Sequence, residues 1–515
     1  MFLTGRGGVL KRTSQHMRIR DRSLILVVSQ GLTQSVTIVL GVILVRLIAV
    51  ETFGTYRQAL LVLMFLSGVM SLQLQSSFYY FLPRQSLEDR RALLLQTILI
   101  SLSTALVMFV VMFFCAGQIS GLLSNPELAP FIRILAFYAF VDRLLVLTPH
   151  FMISLDRPIR GAAYSLLAAV SRIASVVIIF AAGYGISTVL WGMVAVGSTL
   201  AVAGCVDMAR LCPAGAWRLN VGLVAEQWRY SWPLWATAIS GILNYQFDKL
   251  LISGYFDPAT YAVYSVGAIE LPVVMLITTS VSTAVMPNLV SLAKEGKRVE
   301  TLHVWQEAAR KCSLVIFPCF VFFLVVSNDF IRLLYSDAYA KAAWPFAIYL
   351  FVLPVRVTIY SAMLRALGRT RVIAVAAVSG LVVNICLSTL LVFIGKGSLL
   401  SFVGPSIGTV VTVCWMGGYQ LLRIRSEIDV PLASVMRWKQ LGGTLLIAVV
   451  CGLVVLMIPT AGMSLVGRLV MRTAAFLALL ALLVWRTRML HDDEIQLLAL
   501  PFRMLRRHRT PAERP

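Results

Sequence analysis

Long apolar runs alternate with short polar segments along most of the chain. A helix must carry about 20 apolar residues to cross a hydrocarbon core of about 30 Å. Backbone groups in lipid have to be bonded internally, and runs this long and continuous predict helices rather than barrel strands. About fourteen spans are expected. The first six fall near residues 23–49, 57–83, 91–116, 130–153, 161–183 and 186–208. The next six fall near 231–255, 259–290, 311–328, 341–365, 371–394 and 403–423, and a last pair near 438–459 and 463–486.

The pattern contains a repeat. A hairpin over 23–83 places its turn at Glu51-Thr52-Phe53-Gly54-Thr55-Tyr56, and a second over 231–287 places it at Ala259-Thr260-Tyr261-Ala262-Val263-Tyr264. Ser23 and Ser231 are 208 residues apart, as are Tyr56 and Tyr264; Pro83 and Pro287 are 204 apart, and Leu155 and Leu367 are 212 apart. Six spans separate the equivalents, so both copies have one orientation. The expected fold class is therefore an all-α polytopic membrane protein. Two six-helix bundles form a parallel pseudo-twofold repeat, followed by a C-terminal helix pair. The segments are a basic N-terminus (1–22), the first bundle (23–210), a linker (211–230), the second bundle (231–425), helices 13 and 14 (438–486), and a basic amphipathic tail (487–515). The substrate path is expected between the bundles.

Composition and charge narrow this further. The 515 residues are 59% hydrophobic and 13% charged, against about 25% charged in ordinary soluble chains. The net charge of +22 would suggest nucleic acid, but its distribution argues against that. Alternate loops and both termini hold 33 of the 45 Lys and Arg. This bias puts both termini in the cytoplasm and favours anionic membrane lipids as partners. The eight cysteines are scattered without a CxxC, so neither a disulfide framework nor a zinc site is expected. His491-Asp492-Asp493-Glu494 has no metal-ligand spacing. No cofactor and no cleavable signal peptide are expected.

Ionisable residues inside spans cost ~2.5–3.5 kcal/mol each on insertion scales and are functional candidates by default. The bases are Arg46, Arg133, Arg143, Arg172, Lys249 and Arg356; the acids are Asp142, Asp248 and Glu270. Arg172 falls near the middle of its span, with Arg143 and Arg356 also deep. Arg46, Lys249 and Arg133 lie nearer the interfaces. Arg172 shares a face with Ser165 and Ser175. Asp248 continues a stripe of Thr237, Ser240, Gly241 and Asn244. Gln30, Thr33, Gln34, Thr37 and Gly41 form a similar stripe in the first helix, which Arg46 does not join. Such stripes face the protein interior or water. The expected substrate-binding residues are Arg172, Arg356, Arg143, Arg46 and Lys249. The alternative for the deep arginines is structural pairing, with Asp142 or Glu270. The expected ion-coupling residues are Asp248, Glu270 and Asp142. A buried carboxylate without a compensating cation can take up a proton or sodium ion, whereas a salt bridge would keep it ionised.

Arg46 with Phe53-Gly54-Thr55-Tyr56, the stretch Phe247-Asp248-Lys249-Leu250-Leu251-Ile252 through Tyr264-Ser265, and Ala366-Leu367-Gly368-Arg369-Thr370 resemble the polysaccharide (O-antigen) flippase family. That family belongs to the multidrug/oligosaccharidyl-lipid/polysaccharide exporter superfamily. The resemblance covers about residues 20 to 430. It implies transfer of a polyprenyl-pyrophosphate-linked glycan across a bacterial inner membrane, with glycan polymerase machinery as a candidate partner.

A cationic cavity suits such a substrate. A pyrophosphate cannot cross hydrocarbon bare, and guanidinium forks match phosphate oxygens. Two exporters of the same superfamily are the alternatives. A lipid II flippase would share the plan and the cationic cavity. A cation-drug exporter should have an acidic cavity, yet the bases above outnumber the acids. A membrane enzyme fits less well, because the outer loops are short and no P-loop, GxSxG or HExxH motif occurs.

Overall fold

The computed structural model describes residues 19–212, 215–460 and 462–487. The expected basic N-terminus through residue 18 and the expected tail from residue 488, with His491 to Glu494, lie outside the described residues. So do the side chains of Gln30, Gln34 and Thr37.

Every regular element among the described residues is a helix. The first ten are α1 (Ile19–Leu47), α2 (Val50–Val69), α3 (Leu74–Phe81), α4 (Asp89–Phe114), α5 (Ala116–Leu122), α6 (Leu128–Ser154), α7 (Pro158–Ala181), α8 (Ile186–Arg210), α9 (Val221–Tyr255) and α10 (Pro258–Gly267). There follow α11 (Pro272–Lys294), α12 (Arg298–Tyr335), a 3-10 turn (Asp337–Ala342), α13 (Ala343–Leu350), α14 (Leu353–Arg356) and α15 (Tyr360–Ala366). The chain closes with α16 (Thr370–Ile394), α17 (Leu399–Ile428), α18 (Leu432–Val435), α19 (Trp438–Met457) and α20 (Leu465–Arg486).

By length and composition, ten described spans can cross a membrane, or eleven if the bent pair α2 and α3 counts as one. The protein is a multi-pass membrane protein. Besides α1, expected to span near 23–49, the expected spans near 130–153 and 231–255, in α6 and α9, fall outside that count. These two helices carry the adjacent pairs Asp142-Arg143 and Asp248-Lys249.

Contacts divide the chain into two compact units: residues 1–280 with 373–416, and residues 281–372 with 417–515. The first unit therefore holds α9, α10 and α16 together with the N-terminal helices.

In the first unit both expected turns prove to be helical. The α1–α2 turn is only Ile48-Ala49, and Phe53 to Tyr56 are buried in the first turns of α2. The counterpart turn is Phe256-Asp257. Asp257 Oδ1 accepts the Thr260 amide (2.9 Å), and Pro258 opens α10. This is an N-cap with proline at N1, which frees no additional donor. Gly54 lies where α2 meets α10: a Cβ there would sit 1.9 Å from the Pro258 carbonyl oxygen. Only glycine permits that approach.

The expected single helix over 259–290 is broken at 268–271, between α10 and α11. Pro272 has no amide to continue the ladder and pushes Leu271 out of helical geometry. Glu270 lies in this break. An apolar core of Phe78, Phe81, Leu82, Leu93, Phe151 and Met208 holds α3, α4, α6 and α8. Beside it, fully buried Gln227 donates to Ser77 Oγ (2.7 Å) and Thr97 Oγ1 (2.9 Å) and accepts from Gln96 (3.1 Å).

In the second unit, α12 is the organising element. Buried Trp305 donates to the Thr358 carbonyl (2.7 Å), and Gln306 donates to the Ser434 carbonyl (2.8 Å). The last helix pair packs on α12: Gly452 sits against Val321, and Phe476 against Phe322 at 5.3 Å. The expected span over 341–365 is interrupted at 357–359, where Ile359 takes φ 40°.

Candidate functional site

The first unit gathers most of the intramembrane charge into a connected polar interior. On α6, Asp142 pairs with Arg143 (2.6 Å) and accepts from Ser67 Oγ of α2 (2.5 Å). Arg143 also donates to Ser67. Its side chain is 6% exposed. Of the two readings left open by the sequence, pairing with Asp142 is the one the geometry displays for Arg143.

Arg172 is half-buried on α7, and Tyr138 lies one turn before Asp142 on α6. The serines on the Arg172 face are occupied locally. Ser175 Oγ donates to the Arg172 carbonyl (2.9 Å) and Ser165 Oγ to that of Gly161 (3.2 Å). Neither hydroxyl donates to the guanidinium.

On α9, Asp248 is fully buried and lies 3.5 Å from Lys249 Nζ. It accepts from Tyr264 OH (3.0 Å), which in turn receives a hydrogen bond from Ser406 Oγ of α17 (3.1 Å). Lys249 Nζ donates to the Tyr245 carbonyl (3.2 Å) and lies 4.6 Å from the Tyr245 ring centroid. The polar stripe leading to Asp248 packs on α16: Asn244 donates to the Ala377 carbonyl (3.0 Å), and buried Asn384 donates to that of Asn244 (3.3 Å).

Arg57 reaches the second cluster by donating to the side chain and carbonyl of Ser265, the neighbour of Tyr264. Hydrogen bonds then run from Ser406 through Tyr264 to Asp248. Arg172, Tyr56 and Tyr261 belong to the same unit and are counted with this polar relay. With Arg143, Lys249 and Asp142 it holds four bases and two acids. The sequence reading left Arg57 out of its candidate site, because it assigned that residue to a span end. The 208-residue interval to Ser265 was the available signal.

The relay is asymmetric. Tyr56 and Tyr264 are repeat equivalents, yet the first is followed by Arg57 and the second, followed by Ser265, bonds an aspartate. Asp248 is buried and Asp142 half-buried, and each has a cation beside it and a hydroxyl donating to it, which favours the ionised carboxylates. The bases can receive an anionic head group.

The remaining candidates are Arg46, Arg133, Glu270 and Arg356. Arg46 is exposed in the last turn of α1, and Arg133 is also exposed. Glu270 is half-buried in the α10–α11 break. Arg356, in the second unit, is exposed at the end of α14, next to the interruption before α15. Among the described residues no group of His, Cys, Asp and Glu could hold a metal ion.

Sequence reasoning also missed a cluster in the second unit. Asp329 of α12 pairs with Arg472 (2.7 Å) and lies 3.6 Å from Arg468, both on α20. They line a cavity of about 300 Å³ with Arg332 and Asn328. Their partners are more than a hundred residues away along the chain, so no local motif marks them.

Among solved structures, the chain is similar to the lipid II flippase MurJ in an inward closed conformation. The TM-score is 0.72 at 15% identity, covering 91% of this chain and 99% of that one. It also resembles an inward-facing multidrug resistance MATE family transporter of the MOP superfamily. There the TM-score is 0.60 at 14% identity, covering 78% and 95% of the two chains. A MOP superfamily transporter from Pyrococcus furiosus, described as having a binding pocket of reverse polarity, gives 0.54 at 12% identity over 80% and 97%. At these identities the likeness establishes the fold shared with such transporters. A search of curated protein sequences finds no match. The family model described as polysaccharide biosynthesis protein matches residues 43–344, more than half of the sequence, and the chain belongs to that family.

Proposed function

We propose that the protein is a flippase. It carries a polyprenyl-pyrophosphate-linked oligosaccharide, an O-antigen or exopolysaccharide repeat unit, across a bacterial inner membrane by alternating access. Both termini face the cytoplasm. The observation that carries this reading is the net positive relay through the first unit, in a chain of a polysaccharide biosynthesis family. Arg172 and Arg57 replace part of the hydration a pyrophosphate loses, while tyrosine hydroxyls supply further donors. Asp248 with Lys249 and Tyr264, and Asp142 with Arg143 and Ser67, are the places where a proton or sodium ion would couple. Arg356 and Arg46 are separate candidate contacts, and Glu270 a separate candidate acid. Binding spread over several bases releases its cargo more readily than one tight site. Glycan polymerase machinery is the natural recipient.

A second reading is favoured by the MurJ-like fold along nearly the whole of that chain. A lipid II flippase handles the same polyprenyl pyrophosphate chemistry and would use the same bases. An exporter of cationic drugs is disfavoured by the excess of bases in the relay. Depletion in growing cells separates the readings. Loss of surface glycan with intact cells is expected. Lysis with normal surface glycan would replace the proposal with the lipid II reading.

A further inference from the structure

We infer that the Asp329, Arg332, Arg468 and Arg472 cavity of the second unit binds a phosphate group at the membrane face opposite the basic loops.

Twelve Lys and Arg fall outside the basic loops and termini. Three of them converge on this one cavity, against the charge bias that governs the rest of the chain. The position follows from the helices. Asp329 and Arg332 lie in the last turns of α12, which starts among the basic residues at Arg298. Arg468 and Arg472 lie in the first turns of α20, which ends at Arg486.

The charge of this cavity is not balanced by protein. Asp329 is its only acid and is shared between Arg472 and Arg468. Arg332 bonds Asn328 (2.7 Å) and reaches outward to Asp337 (2.8 Å), which is 84% exposed and outside the cavity lining. The Nε of Arg472 is buried without a hydrogen-bond partner among the described residues, and that of Arg468 has Asp329 only at 3.6 Å. Arg468, the fourth residue of α20, also opposes the positive end of the helix dipole. An anion seated there would offset all of these costs, and guanidinium forks match phosphate oxygens in particular. A cavity of about 300 Å³ admits a phosphate with several waters, since each water takes about 30 Å³. Along α20, Val466, Val470 and Leu477 are exposed, so a phosphate carried on a lipid would find an apolar surface for its chains.

The site does not depend on the proposed cargo, because it uses none of the relay residues. Purified protein would be titrated with inorganic phosphate in detergent. In parallel it would be placed in nanodiscs of phosphatidylcholine with phosphatidylglycerol, with retained lipid counted by native mass spectrometry. Stabilisation by inorganic phosphate points to a free anion as the source, and selective retention of phosphatidylglycerol to a lipid head group. In either arm R468Q/R472Q is expected to weaken binding about tenfold or more, and D329N to strengthen it. R332Q serves if the double variant does not fold. Equal binding by the wild type, D329N and the arginine variants in both arms overturns the site, whatever the protein is found to transport.

Discussion

Arg57 donates from Nε to Ser265 Oγ and from Nη2 to the Ser265 carbonyl, each at 3.4 Å, across 208 residues of chain. The same interval separates Tyr56 from Tyr264, so Arg57 meets its own repeat counterpart. The contact fastens α2 to α10 within the first unit.

That contact should be energetically coupled. In a double-mutant cycle of R57Q and S265A on transport rate, the two effects should depart from additivity by about 0.5–3 kcal/mol, the range for residues in contact. Strict additivity would show that the relay is broken at this point.

The same interface predicts a sharp packing penalty at Gly54. A Cβ there meets backbone at 1.9 Å, which a rotamer change cannot relieve. G54A should lower stability by about 1–3 kcal/mol or more, read as a fall in detergent melting temperature. Gly41 has nothing within 4 Å of its added Cβ, so G41A should melt like the wild type.

The Asp248-Lys249 pair predicts an asymmetric cost. D248N breaks the buried pair with Lys249, and breaking a buried pair costs about 3–5 kcal/mol. The double variant D248N/K249M should recover much of that stability but not transport driven by a proton or sodium gradient. If the double variant transports with unchanged ion dependence, coupling does not run through Asp248.

Asp257 caps α10 outside the spans. Burial works to raise its pKa, but hydrogen bonds from Thr260 outweigh this and hold it below the ordinary carboxylate range. A depressed folded pKa contributes stability above the unfolded value of about 3.9, and that contribution is lost as pH falls through the folded value. D257A should cost about 1 kcal/mol near neutral pH and flatten the acid limb of the melting profile. An unchanged acid limb would show that the cap contributes nothing.

Much of the fold was legible because the bilayer imposes one rule. Apolar runs become helices, and the all-helical class followed from them. The hairpin turns were misplaced by a few residues, because Phe53 to Tyr56 read as turn chemistry but are buried by packing of α2 on α10. The break between α10 and α11 was written locally in Pro272, while the one at Ile359 was not. Of the site, the adjacent pairs at 142–143 and 248–249 could be read as neighbours in sequence. The links from Arg57 to Ser265 and from Asp329 to Arg472 could not, since tertiary packing alone creates them.

The most direct test of the cationic relay is a flipping assay in liposomes. Wild type, R172A and R57Q would be reconstituted with a polyprenyl-pyrophosphate-linked oligosaccharide, and the glycan reaching the opposite leaflet measured with an impermeant lectin. Each of the two variants should fold and melt near the wild type yet flip about tenfold more slowly or worse, the loss expected for one charge-assisted contact. Wild-type rates in both would contradict the assignment of these bases to the substrate.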